Sequence, residues 1–106
     1  MVALDNYKHM VKETFASVGQ AIGIHVMLLV VERALWTTRH KYEEAAVITC
    51  SEEGVTLDGL DELDPERASL IAHFLMMSII STLGRLVGIQ LAKQLTEHLQ
   101  KEDRED

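Results

Sequence analysis

Cysteine, proline, aromatic residues and positive charge are all scarce in this chain. One cysteine, Cys50, excludes an internal disulfide and a thiolate zinc cluster. The only proline is Pro65, so nothing between residues 4 and 44 forbids a continuous helix on steric grounds. Aromatic side chains are limited to Tyr7, Phe15, Trp36, Tyr42 and Phe74, which leaves the core to aliphatic residues. Ten Lys and Arg stand against 17 Asp and Glu, a net charge of −7. That balance argues against nucleic acid or an anionic membrane as the partner, because both need clustered cations. No charged-then-apolar leader opens the sequence, and the expected location is the cytoplasm. Motifs of catalysis are missing as well: there is no G-x-S-x-G, P-loop, dinucleotide fingerprint or H-E-x-x-H. Cys50 has no histidine or lysine beside it to lower its pKa. The expectation is a protein that is not an enzyme and holds neither metal nor cofactor.

What is present is apolar, helix-periodic sequence. Nearly half the residues are hydrophobic (47%), which argues against disorder. One stretch appears twice. Residues 15–26 align with residues 80–91, placing Gly19 on Gly84, Gly23 on Gly88 and Ile24 on Ile89. Each copy is a G-x-x-x-G inside an apolar run, and its two glycines lie one turn apart on the same helix face. Each costs about 1 kcal/mol in a helix interior, so helix crossings at Gly19/Gly23 and Gly84/Gly88 are expected. The alternative is a helix end at Gly19 or Gly84. A transmembrane crossing is disfavoured, because His25, Glu32 and Arg33 interrupt the first run and Arg85 the second.

A stripe of Leu4, Tyr7, Val11, Phe15, Val18, Ile22, Val26, Leu29 and Trp36 marks residues 4–44 as helical. A single helix of that length is roughly 60 Å long, far more than a compact domain of ~13 Å radius of gyration can cover. Residues 22–31 are apolar or glycine except for His25, and residues 74–80 are similarly crowded. Helices coated this evenly need neighbours on several sides. Residues 46–58 hold two β-prone runs, Val47-Ile48-Thr49 and Val55-Thr56-Leu57, around Gly54, and predict a hairpin. Asp64-Pro65-Glu66 reads as a helix start for a segment over 65–101, followed by a charged, frayed tail at 102–106. The predicted fold is mainly α: an antiparallel bundle of two long helical segments, each either continuous or interrupted at its glycines, with a short hairpin between them, completed by dimerisation.

Three sets of polar residues are candidate sites. Asp5, His9 and Glu13 share a helix face that offers imidazole and carboxylate donors; His40/Glu44 and His98/Glu102 repeat the spacing. The plain alternative is a solvated face with weak pairing, and no metal site is expected there. His25 and His73 are the two histidines inside apolar runs, and are candidate ligands for haem or a pH-sensitive contact. Arg33, Trp36, Arg39, His40 and Lys41 form the one cation-rich stretch, a candidate docking point for an acidic protein partner or a carboxylate or phosphate ligand. The first functional expectation is a homodimeric, non-enzymatic association or signalling-accessory module. The second is a small sensor holding an apolar ligand or haem between its helices.

Overall fold

The structure, a computed structural model, describes residues 2–105, with side chains described over residues 4–86. It is mainly helical, with three α-helices and one small antiparallel hairpin. Helix α1 spans Val2–Ile22, α2 Ile24–Lys41 and α3 Pro65–Glu105. Strands β1 (Thr49–Ser51) and β2 (Gly54–Thr56) lie between α2 and α3, flanked by 3₁₀ turns at Glu43–Val47 and Asp58–Glu62.

The 4–44 segment is two helices, and the break falls at Gly23. Its φ of 100° leaves the helical region, and its N–H donates to the Gly19 carbonyl at 2.9 Å to end the α1 ladder. Its own carbonyl accepts from Met27 N–H at 3.0 Å to begin α2. A side chain rarely tolerates such a φ, so glycine is the residue the corner requires. Gly19 sits where the two helices come close: a Cβ there would meet Ile24 Cδ1 at 3.5 Å and Met27 Cβ at 3.8 Å. The first glycine pair thus makes a corner within one chain. The second pair does not interrupt α3 at all, and a Cβ at Gly84 or Gly88 would meet nothing within 4 Å.

After Lys41 the chain leaves α2 through Tyr42, whose N–H donates to the Thr38 carbonyl at 2.8 Å. The hairpin is narrower than its sequence signal. Thr49 pairs with Thr56, Cys50 with Val55 and Ser51 with Gly54, leaving Glu52 and Glu53 as the turn. Helix α3 starts where Asp64 and Pro65 predict, with Ala68 N–H donating to the Asp64 carbonyl at 2.8 Å. It continues through the expected frayed tail as far as Glu105, 41 residues in one piece. At ~1.5 Å per residue it is about 60 Å long, which accounts for a molecule of 64 × 24 × 22 Å with a radius of gyration of 17.0 Å.

All three helices and the turns share one core. It includes Leu4, Val11 and Phe15 from α1, Met27, Val31 and Leu35 from α2, Ile48 and Leu60 from the connecting segments, and Ile71, Leu75 and Ile79 from α3. Thr38 is the one buried polar side chain among the described residues, and its hydroxyl donates to the Ala34 carbonyl at 2.7 Å. Within the evenly apolar run 22–31, Met27, Val30 and Val31 are buried by the chain's own helices, while Val26 and Leu29 stay exposed. The part of α3 over Pro65–Leu86 is long and apolar enough to cross a membrane by length and composition, although its inner face is spent on this core.

Candidate functional site

The five residues of the cation-rich stretch are separated by helical rotation. Arg33, Trp36 and His40 share the outward face of α2. The Arg33 guanidinium lies 5.2 Å from the Trp36 ring centre, and the His40 and Trp36 rings are 4.0 Å apart. His40 Nδ1 donates to the Trp36 carbonyl at 2.8 Å, so it does not pair with Glu44. Arg39 turns the other way and donates to the Ile48 carbonyl at 2.7 Å, tying α2 to the hairpin. Lys41 sits 4.6 Å from the Phe74 ring centre, at the junction with α3. Glu44 is instead held by Arg67, whose Nη2 donates to its Oε1 at 3.1 Å while Nε donates to Oε2. Hydrogen bonds from Arg67 hold the Glu44 carboxyl below its ordinary pKa. What this pair contributes is therefore present above the usual carboxylate pKa and fades as pH falls through the lowered one.

The two candidate histidine ligands face different elements. His25 is exposed and lies 3.9 Å from Glu52 in the hairpin turn. His73 is exposed on α3, with its Nδ1 hydrogen-bonded at 2.9 Å to the Tyr7 hydroxyl of α1. Neither points into the core. On the Asp5/His9/Glu13 face, His9 approaches Glu13 at 3.4 Å, and no group of three metal-ligating side chains occurs among the described residues. His98/Glu102 lies outside the described side chains.

Cys50 is half-buried against α2. Burial pushes its thiol above the usual range, Glu32 adds to the rise and Arg39 opposes it. A thiol kept protonated is a poor nucleophile. Its reaction with a disulfide reagent at pH 8 is expected to be several-fold slower in the folded protein than in guanidinium, read as the rate of thionitrobenzoate release.

Two open grooves mark the surface. The larger, about 550 Å³, lies between α1 and the hairpin. It holds both signs of charge, and one of its cations is paired: Lys8 is 2.7 Å from Asp61 and 3.4 Å from Asp58, and these carboxylates raise its pKa. The smaller, about 410 Å³, runs between α2 and α3 and is lined by Arg33, Thr37, Met77, Ser78, Ser81, Thr82 and Arg85. Arg85 registers in the sequence only as an interruption of an apolar run. Its place opposite Arg33 depends on how α3 passes α2, and the cluster Ser78, Ser81 and Thr82 is the one local sign of a polar wall.

Besides Met10, Val26 and Val47, large apolar side chains are uncovered on the two helices that form this groove. On α2 they are Leu29 (65% exposed) and Trp36 (53%); on α3 they are Leu70 (48%), Met77 (51%) and Ile80 (47%). Scattered exposed apolar residues are ordinary, but those of α3 recur at helical spacing on the side opposite Ile71, Leu75 and Ile79. No protein-family model, curated protein or solved structure matches the chain.

Proposed function

We propose that this chain is a non-enzymatic, cytoplasmic association or signalling-accessory module that works as a homodimer, its helices completing a bundle with those of a second copy. The observation that carries this reading is the outward face of α3. Leu70, Met77, Gly84 and Leu91 are spaced by sevens, as are Ser81, Gly88 and Leu95 beside them, whereas Phe74, one heptad earlier, packs against Tyr42 of the core. Past Leu86 the sequence reverses the helix's polarity. By sequence spacing alone, Gln90, Lys93 and Glu97 carry on the period of Ile71, Leu75 and Ile79, and Leu91 and Leu95 that of Leu70 and Met77; their side chains lie outside those described. A helix with its apolar row on the side away from its own domain supports contact with another helix. Two glycines in that row, without an intrachain neighbour where Cβ would stand, suit close approach of a second backbone.

Size is consistent with this. A helix about 60 Å long and roughly 10 Å across offers about 600 Å² along one face. Leu29 and Trp36 add to it, which approaches the ~800 Å² per partner of a standard interface. A lipid surface competes for the same face, given the apolar character of Pro65–Leu86. Arg67 paired to Glu44 at the start of this segment, and a net charge of −7, favour a protein partner.

Sedimentation equilibrium tests the reading. The wild-type chain is expected to be dimeric at micromolar concentration. The double substitution Leu70→Glu/Ile80→Glu, at two exposed sites, should make it monomeric with unchanged helical circular dichroism. A monomeric wild type, or a protein recovered only in detergent, overturns the proposal.

A further inference from the structure

We infer that the groove between α2 and α3 is a binding site for a phosphate group. Six polar or charged lining residues come from both helices: Arg33 and Thr37 from α2, and Ser78, Ser81, Thr82 and Arg85 from α3. None of the lining residues is acidic, although Asp and Glu outnumber Lys and Arg 17 to 10 in the chain. Most other cations around the core have partners: Lys8 has Asp58 and Asp61, Arg67 has Glu44, Arg39 has the Ile48 carbonyl and Lys41 has two aromatic rings, while Lys12 stands alone among the described residues and shares its groove with Glu53 and Asp58. Among the described residues Arg33 and Arg85 have no carboxylate partner, and they line the same groove. Two like charges brought together without a counter-charge repel, and an anion between them removes that cost.

The hydroxyls sort by what they already do. Thr37 donates to the Arg33 carbonyl at 3.2 Å and Thr82 to the Ser78 carbonyl at 2.8 Å, so both protons are committed to the helix backbone. Ser78 and Ser81 donate to no acceptor among the described residues and are available to a ligand. Two guanidiniums and two free hydroxyl donors exceed what one carboxylate calls for. They match a phosphate carrying about −1.5 to −2 charges near neutral pH. Met77 supplies one apolar wall for an organic substituent, and a volume near 410 Å³ falls within the ~300–1,000 Å³ of small-molecule sites. The larger groove beside α1 mixes its cations with the carboxylates of Glu53 and Asp58 and so offers no surplus of positive charge as the α2/α3 groove does. The site's side chains all come from one chain, and because Met77 and Ser81 also stand on the row proposed to meet a second copy, the binding is measured on the monomeric Leu70→Glu/Ile80→Glu protein as well.

Trp36, the single tryptophan, reports on the site because Arg33 lies over its ring. Titration with inorganic phosphate, at ionic strength held constant with chloride, is expected to give a saturable change in its emission. Arg85→Gln, which does not touch Trp36, should move the midpoint at least tenfold upward. Arg33→Gln should weaken binding similarly by calorimetry, and Lys41→Gln should leave it unchanged. Phenyl phosphate saturating below inorganic phosphate identifies an organic phosphate as the ligand; saturation at the same or higher concentration identifies the free ion. No saturable change up to tens of millimolar overturns the proposal. So does an Arg85→Gln protein that is folded by circular dichroism and has an unchanged midpoint.

Discussion

Replacing Leu75 by alanine is expected to cost about 2–5 kcal/mol. Leu75 is 0% exposed on the inner face of α3, in the core it shares with α1 and α2. Shortening it removes buried methyl groups and leaves a cavity that rigid helices close only in part. Chains of this size unfold with only ~5–15 kcal/mol, so this one change removes a large share of the total. A urea melt should show the midpoint falling with little change in slope. The loss should not depend on protein concentration, since the cover over Leu75 is intramolecular. Leu70→Ala, one turn and a half away and half exposed, makes the useful contrast. If a second copy covers that face, its cost should appear only at concentrations where the dimer forms.

Local chemistry was legible in the sequence, and rotational placement was not. Asp64-Pro65 marks the start of α3 because the capping carboxylate and the missing proline N–H act within one turn. The glycine pairs announced special backbone, but spacing alone gives Gly19/Gly23 and Gly84/Gly88 the same status. Only tertiary contact separates them: α1 folds back on α2 with Gly19 against Ile24 and Met27, whereas nothing folds back at Gly84. The stripe over 4–44 keeps phase across Gly23, so it leaves open whether the segment is continuous or broken near Gly19, and it does not report the single positive φ that places the break at Gly23. The cation-rich run looked like one patch because its members are adjacent in sequence. At about 100° per residue Arg39 stands about 120° round the helix from Arg33, on the flank nearer the hairpin, where its guanidinium donates to the Ile48 carbonyl. Arg85 was overlooked for the converse reason, since its partner Arg33 lies on a different helix.

Gly23 and Gly84 should respond to alanine with opposite signs. At Gly23 a Cβ would meet nothing within 4 Å, so no clash enters. The whole penalty is conformational, because φ is 100° and ψ is 141°, a region open almost only to glycine. Gly23→Ala is therefore expected to destabilise the fold by about 1–3 kcal/mol. The chain's escape from that strain is to let α1 run straight into α2. Doing so opens the corner and exposes Met27, which is 0% exposed in the folded chain. At Gly84 the backbone is already helical and the space is open, so Gly84→Ala should stabilise an isolated chain by up to ~1 kcal/mol through helix propensity. The same methyl group on the outward row of α3 would hold a second backbone away. Thermal melts at low concentration should place Gly84→Ala above the wild type and Gly23→Ala well below it. At high concentration the Gly84→Ala advantage should shrink or reverse as the dimer, which the methyl weakens, begins to stabilise the wild type. An advantage that persists unchanged across concentrations would mean that no helix packs at Gly84.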